Sequence, residues 1–322
     1  MKNRIVWLDT AKGIGILLVV VGHTMSPVME GHEVMTAVYS ILYVFHMPLF
    51  FLLSGMVSGR LLNAGESEKR KLLRQRAKRL MVPYFVWAII YAPMKLLLKE
   101  HVRFAQKDSI WTIFLGNNPA GQLWFLYVLF ILSVFTIFFV NQKSLNTWRI
   151  GGFIASFLAP IVPSTIGFTG IGLSFSLYQI GFFFLGLSLA QHSDTAFKNG
   201  KIAIVCGFVW LIHTAFLAAD VRIWYLKMLA AVSACYLICH IAVKLPLSKK
   251  STVLLSYLGR QSVEIYILHA PILVVGRMCL KPFLGDTPWL YVGVLSAGSI
   301  VGALVISAIC KPKVFRFLVF GE

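Results

Sequence analysis

Apolar runs long enough to cross a bilayer recur about every 30 residues along this chain, separated by short polar or basic stretches. Ten spans are predicted, at roughly 10–28, 37–59, 82–99, 121–140, 150–166, 174–191, 202–219, 223–243, 257–277 and 289–310. Pro93, Pro160 and Pro163 interrupt the weakest of them, the third and the fifth to seventh. The expected fold is all-α: a polytopic membrane protein of about ten helices forming a single domain over 1–322, with no appended soluble domain. Asp9 and Lys12 fall where the apolar centre of a signal peptide would begin, so no cleavable leader is expected.

Composition agrees with the pattern. Apolar residues make up 58% of the 322 and charged residues 13%, with a mean hydropathy of +0.79. Soluble domains average about 45–50% apolar and about 25% charged. The net charge of +18 is mostly topology. Placing both termini in the cytoplasm puts most of the 30 basic residues inside, eight of them between 60 and 79. No nucleic-acid partner is expected, because the basic stretches lack the soluble fold such a reader needs. The five cysteines lie in or beside spans and form neither a zinc pattern nor a disulfide framework.

Four polar constellations interrupt the apolar background. In the first span Lys12 and His23 are eleven residues apart. At about 100° per residue they point the same way, roughly 16 Å apart along the axis. A cation at the membrane edge thus lies beneath an imidazole in the hydrocarbon region, where ionisable groups are costly and mark functional paths. Asp9, three residues before Lys12, is placed to pair with it; snorkelling of Lys12 is the structural alternative. The second constellation is Phe45-His46-Met47-Pro48 through Ser54-Gly55. Pro48 frees a backbone carbonyl one turn upstream, beside His46.

The third is the basic stretch Arg76-Ala77-Lys78-Arg79 before Pro83-Tyr84. Its two guanidiniums, three residues apart on one helix face, suit phosphate oxygens, although lipid headgroups explain such a cluster equally well. The fourth runs from Arg260 through Glu264 and Tyr266 to His269. Arg260 and Glu264 could pair at the membrane edge, and Tyr266 and His269 sit deeper. Trp124, in Leu123-Trp124-Phe125-Leu126, is either part of an aromatic belt or a platform for a sugar ring.

In their order and spacing these stretches resemble the acyltransferase-3 family of integral membrane proteins, and most nearly its fucose 4-O-acetylase-like branch. The resemblance runs from Trp7-Leu8-Asp9 to Tyr266-Ile267-Leu268-His269 and so covers the whole chain. It implies ten helices in a bacterial cytoplasmic membrane. The implied reaction takes an acyl group, usually acetyl, from cytoplasmic acyl-coenzyme A to a hydroxyl of a cell-envelope or exported glycan. The family's basic-residue and histidine motif falls on Lys12 and His23, and its paired-arginine motif on Arg76 and Arg79. Lys12 departs from the arginine of many members and lacks the bidentate fork. Larger members carry an added hydrolase-like domain, whose absence here implies that the membrane domain completes transfer.

Acyl transfer needs a base near the hydroxyl and stabilisation of the oxyanion at the thioester carbon. Histidine, with an ordinary pKa of about 6.5, suits the base. His23 is therefore the expected catalytic residue, acting as base or as a transient acyl carrier. Acyl-coenzyme A is expected on Lys12, Arg76 and Arg79, without a metal. Asp9, His46, Ser54, Trp124, Glu264, Tyr266 and His269 are candidates for supporting His23 or binding the acceptor. The competing expectation is a polytopic, proton-coupled transporter of a small polar metabolite, relaying through His23, His46, Glu264 and His269. No second-half counterpart of the Lys12–His23 span supports the inverted repeat common in transporters. The sequence does not fix the oligomeric state.

Overall fold

A segment crossing hydrocarbon must satisfy its backbone polar groups internally, and a helix does so within one segment. In a computed structural model of the protein, every regular element among the described residues is helical. The description covers residues 5–97, 113–114, 116, 118–161, 173–192, 195–246, 248–284, 287–310 and 312–321, without the side chains of 95–97 and 173–175. The ends of the third and fifth expected spans, 98–99 and 162–166, lie outside these residues.

Twelve α-helices are described: α1 Val6–Met25, α2 Glu33–Val57, α3 Glu66–Leu97, α4 Trp124–Phe139, α5 Leu145–Leu158, α6 Leu173–Leu189, α7 Gly200–Ala218, α8 Trp224–Lys244, α9 Lys250–Arg260, α10 Ser262–Leu284, α11 Pro288–Ile309 and α12 Lys313–Phe320. Seven helical stretches are long and apolar enough to cross a membrane: α1, α2 with the turn after it, α4 with the turn before it, α7, α8, α10 and α11. They match seven of the ten expected spans. The basic helix α3 and the short helices α5 and α6, of 14 and 17 residues, occupy the other three. The expected ninth span, beginning at 257, straddles a break. Helix α9 stops at Arg260, and α10 starts afresh at Ser262.

The described residues divide into two compact units, Met1–Met56 with Leu189–Leu304, and Val57–Ser188 with Val305–Glu322. In the first unit α1 is the central element, packed on α8, α9 and α10. Its closest partner is α9, and two glycines make that approach possible. A Cβ built on Gly13 would fall on the Leu255 carbonyl oxygen, and one on Gly259 would fall on the Asp9 carbonyl oxygen. The two backbones thus touch directly, as small residues allow between membrane helices. At the other end of α1, Met25 joins Met35, Leu273, Tyr291, Val292 and Leu295 in a buried apolar cluster. There Thr24 Oγ1 and Ser296 Oγ share a hydrogen bond of 2.7 Å, tying α1 to α11. Helix α7 turns Ile204, Val205, Phe208 and Leu211 outward, each more than 60% exposed. So large an apolar face is unusual in water and natural against lipid.

In the second unit α3 packs on α4 and α12. Trp87 Nε1 donates to the Val319 carbonyl at 3.1 Å, and the Lys78 ammonium lies 5.8 Å over the Phe317 ring. Gly321 ends α12 with a left-handed φ of 72°. Its Cα also approaches α3 so closely that a Cβ would stand 2.7 Å from Arg79 Cα. Both constraints favour glycine there. Helices α5 and α6 meet through Ser156, whose hydroxyl donates to Gly152 O at 2.9 Å and accepts from Gly181 N at 3.0 Å.

Candidate functional site

The first unit holds eight of the eleven expected site residues, and His23, His46, Tyr266 and His269 among them lie toward the C-terminal half of α1. His23 is half-buried there, and its ring centroid lies 5.2 Å from that of His269 on α10. His269 is fully buried. Its Nδ1–H donates to the Ile265 carbonyl one turn back, at 3.1 Å. That bond leaves Nε2 as the ring's lone-pair nitrogen. Among the described residues, this buried Nε2 has no hydrogen-bond partner. Ser299 on α11 donates to the His269 carbonyl at 3.2 Å and supports the same turn. Tyr266, one turn before His269 on α10, is buried with its ring 6.0 Å away.

A second wall comes from α2. Tyr43 stands between two imidazoles, 6.4 Å from His23 and 4.5 Å from His46. Tyr39 stacks on Tyr43 at 3.9 Å. His46 is buried, and its Nδ1–H donates to the Leu42 carbonyl at 3.0 Å, the same arrangement as in His269. Pro48 lies within this helix and contributes no N–H to it. Ser54 is half-buried further along α2.

The remaining expected residues of this unit lie nearer the α1–α9 contact. Asp9 is buried and Lys12 half-buried on α1, both in the turn from Asp9 to Gly13 that Gly259 touches. Glu264 is buried in the first turn of α10. Arg260 donates through Nη1 to Ser256 Oγ at 3.1 Å and lies 5.6 Å over the Tyr257 ring.

Arg76 and Arg79 belong to the second unit, described separately. The Arg76 guanidinium donates through Nη2 to Ser58 Oγ at 2.9 Å, where Ser58 is buried just after α2. Burial, then the like charges of Arg79 and Arg60, push the Arg76 pKa down to about 10. It therefore stays cationic at neutral pH. Arg79 is exposed. Trp124 is half-buried at the first turn of α4.

Sequence reasoning missed the tyrosine wall. Tyr39, Tyr43 and His46 follow one another at spacings of four and three, the interval that stacks side chains on one helix face. It also passed over His213 on α7 and Lys227 on α8, although each is an ionisable group inside an apolar helix. Among the described residues, no group of three or more His, Cys, Asp or Glu side chains is close enough to hold a metal ion.

Comparison with known proteins bears on what this arrangement is. A family model described as an acyltransferase domain, acyltransferase-3, matches residues 5–308. The nodulation protein NolL of Mesorhizobium japonicum is 28% identical over 206 residues, covering 62% of this chain and 51% of that protein. NolL of Sinorhizobium fredii is 24% identical over 253 residues, covering 71% of this chain and 67% of its own length. The match thus spans about half of the first relative and two thirds of the second. No solved structure matches. With the family model covering nearly its whole length, and helices apolar enough to cross a bilayer repeatedly, this chain belongs to the acyltransferase-3 family of multi-pass membrane proteins.

Proposed function

We propose that this protein is a membrane O-acyltransferase, most simply an O-acetyltransferase of a bacterial cytoplasmic membrane. In this reading it moves an acyl group from cytoplasmic acyl-coenzyme A to a hydroxyl of a cell-envelope or exported glycan. The observation that carries it is the pair of imidazoles from α1 and α10, 5.2 Å apart, within a chain of this family. His23 is the base. It takes the proton of the acceptor hydroxyl as that oxygen attacks the thioester carbonyl. The tetrahedral oxyanion collapses and expels the coenzyme thiolate, which recovers the proton from the His23 imidazolium. The products are the acylated glycan and free coenzyme A thiol. A thioester already has a good leaving group, so the residues need supply only proton transfer and charge stabilisation.

His269 supports the base. With Nδ1–H committed to Ile265, its Nε2 can accept a hydrogen bond but cannot donate one while the ring is neutral. A hydrogen bond from the His23 ring to this Nε2, formed as His23 takes the proton, would favour the charged form of His23 during the transfer. Tyr43 and His46 extend the polar wall away from His23 and are assigned to the acceptor. Donor phosphates are assigned to the guanidiniums of Arg76 and Arg79, whose forks fit phosphate oxygens. The family motif gives Lys12 the same role, as a point charge.

The test is to incubate purified protein in lipid nanodiscs with radiolabelled acetyl-coenzyme A and a panel of envelope glycans. Label is expected on a glycan, and acetyl-coenzyme A is expected to raise the unfolding temperature. Absence of both effects would overturn acyl transfer and favour a transporter.

A further inference from the structure

Beyond Tyr43 the polar wall continues into a cluster that proton transfer at His23 does not use. Lys227, in the first turn of α8, sits half-buried in a helix apolar enough to span a membrane. Helices α7 and α8 pack on each other across a short turn, which sets His213 and Lys227 at the same end of the pair, and the Lys227 charge acts on both His213 and His46 of α2. The Lys227 ammonium lies 5.3 Å over the Trp224 ring. His213 is 6% exposed, and among the described residues its Nδ1 is buried without a hydrogen-bond partner. Trp210, one turn before it, stacks on the His213 ring at 6.1 Å. Trp210 also packs edge-on to Phe45 at 5.3 Å, which joins α7 to α2 beside His46.

Three helices of one unit thus converge a lysine ammonium, two imidazoles and two indoles. A cation in an apolar span is costly and is kept where it binds something. A buried ring nitrogen without a partner is costly in the same way, and a ligand removes that cost. Ammonium and imidazole N–H groups are donors suited to carboxylate or phosphate oxygens, while indole faces suit the apolar faces of sugar rings. The distance from His23 fits as well. Tyr43 links the two places, its ring centroid 6.4 Å from that of His23 and 4.5 Å from that of His46. Adjacent sugar residues of one glycan could therefore meet both places.

We propose that Lys227 and His213 form an anion subsite beside His46, and that the acceptor carries a carboxylate or phosphate near the hydroxyl to be acylated. The proposal rests on the acyl-transfer reading for what is bound, but its test does not. The negative group has two sources, an acidic sugar of the glycan or the phosphate of a prenyl carrier.

Binding is measured directly, with protein in phosphatidylcholine nanodiscs and no acetyl-coenzyme A. One arm compares a radiolabelled tetragalacturonate with its carboxyl-reduced form; the other compares a prenyl monophosphate with its alcohol. In at least one arm the charged probe is expected to bind tenfold or more tightly than its neutral twin. Lys227→Gln should erase that ratio while leaving the neutral probe unaffected, and Lys227→Arg should keep it. His213→Phe should lower the ratio at least threefold, which keeps the test decisive if Lys227→Gln fails to fold. No charge preference in either arm, a preference that survives in a folded Lys227→Gln protein, or a ratio unchanged in a folded His213→Phe protein overturns the proposal. Label transfer to a neutral glycan alongside such a result would leave the enzyme reading standing. Charge-selective, Lys227-dependent binding without label transfer to any glycan would do the reverse.

Discussion

Replacing Gly259 with alanine adds one methyl group and should cost both stability and activity. The added Cβ would lie 2.6 Å from the Asp9 carbonyl carbon and 2.9 Å from Gly13 N, with the Asp9 oxygen nearer still. Non-bonded heavy atoms prefer about 3.5–4.0 Å, so α1 and α9 must part by roughly 1 Å or more. The obstacle is backbone on both sides, which no rotamer change relieves. Overpacking of this kind typically costs about 1–3 kcal/mol. The moved helix also carries Asp9, Lys12 and His23, and a shift of about 1 Å at reacting groups can cost about a hundredfold in rate. The assay is thermal unfolding in nanodiscs together with the rate of acetyl transfer. Gly207→Ala on α7 is the control, because nothing lies within 4 Å of its Cβ position. Alanine there should be neutral or slightly stabilising. A Gly259→Ala protein with wild-type unfolding temperature and rate would refute the claim that α1 and α9 are in backbone contact.

Arg76→Gln should raise the KM for acetyl-coenzyme A about tenfold or more, from loss of a charged hydrogen bond worth roughly 1.5–3 kcal/mol, with kcat little changed. Arg76→Lys should recover only part of this, because lysine lacks the bidentate fork; steady-state kinetics read both variants. His269→Phe should keep the fold and slow transfer at least tenfold, with an altered pH–rate profile; an unchanged rate and profile would remove His269 from the account. Ser156→Ala should lower stability by about 1–2 kcal/mol, since its hydroxyl bridges α5 and α6, without altering the KM for acetyl-coenzyme A. The readouts are thermal unfolding and steady-state kinetics.

Much of the fold was legible in the sequence because the bilayer dictates it. A helix that must cross hydrocarbon needs a run of apolar residues, and seven such stretches lie where the runs do. The break at Gln261 was not legible, because apolar residues continue on both sides of it and only the packing of α9 against α1 distinguishes them. The functional region was legible where an ionisable side chain sits in an apolar run, as with His23, His46 and His269. Their juxtaposition was not, since ring distances between α1, α2 and α10 depend on how helices pack rather than on spacing within any one of them. Lys227 and His213 show the same limit. Each looks like an isolated polar residue in its own helix and gains meaning only beside the other.

The central claim is that the imidazole of His23 moves the proton during acyl transfer. It is tested most directly by comparing wild type with His23→Ala in nanodiscs, supplied with radiolabelled acetyl-coenzyme A and the accepted glycan. The account predicts that label transfer falls to background in the variant. The unfolding temperature, and the rise in it on adding acetyl-coenzyme A, should stay near wild type. Label transfer at a near-wild-type rate in the folded variant would contradict it.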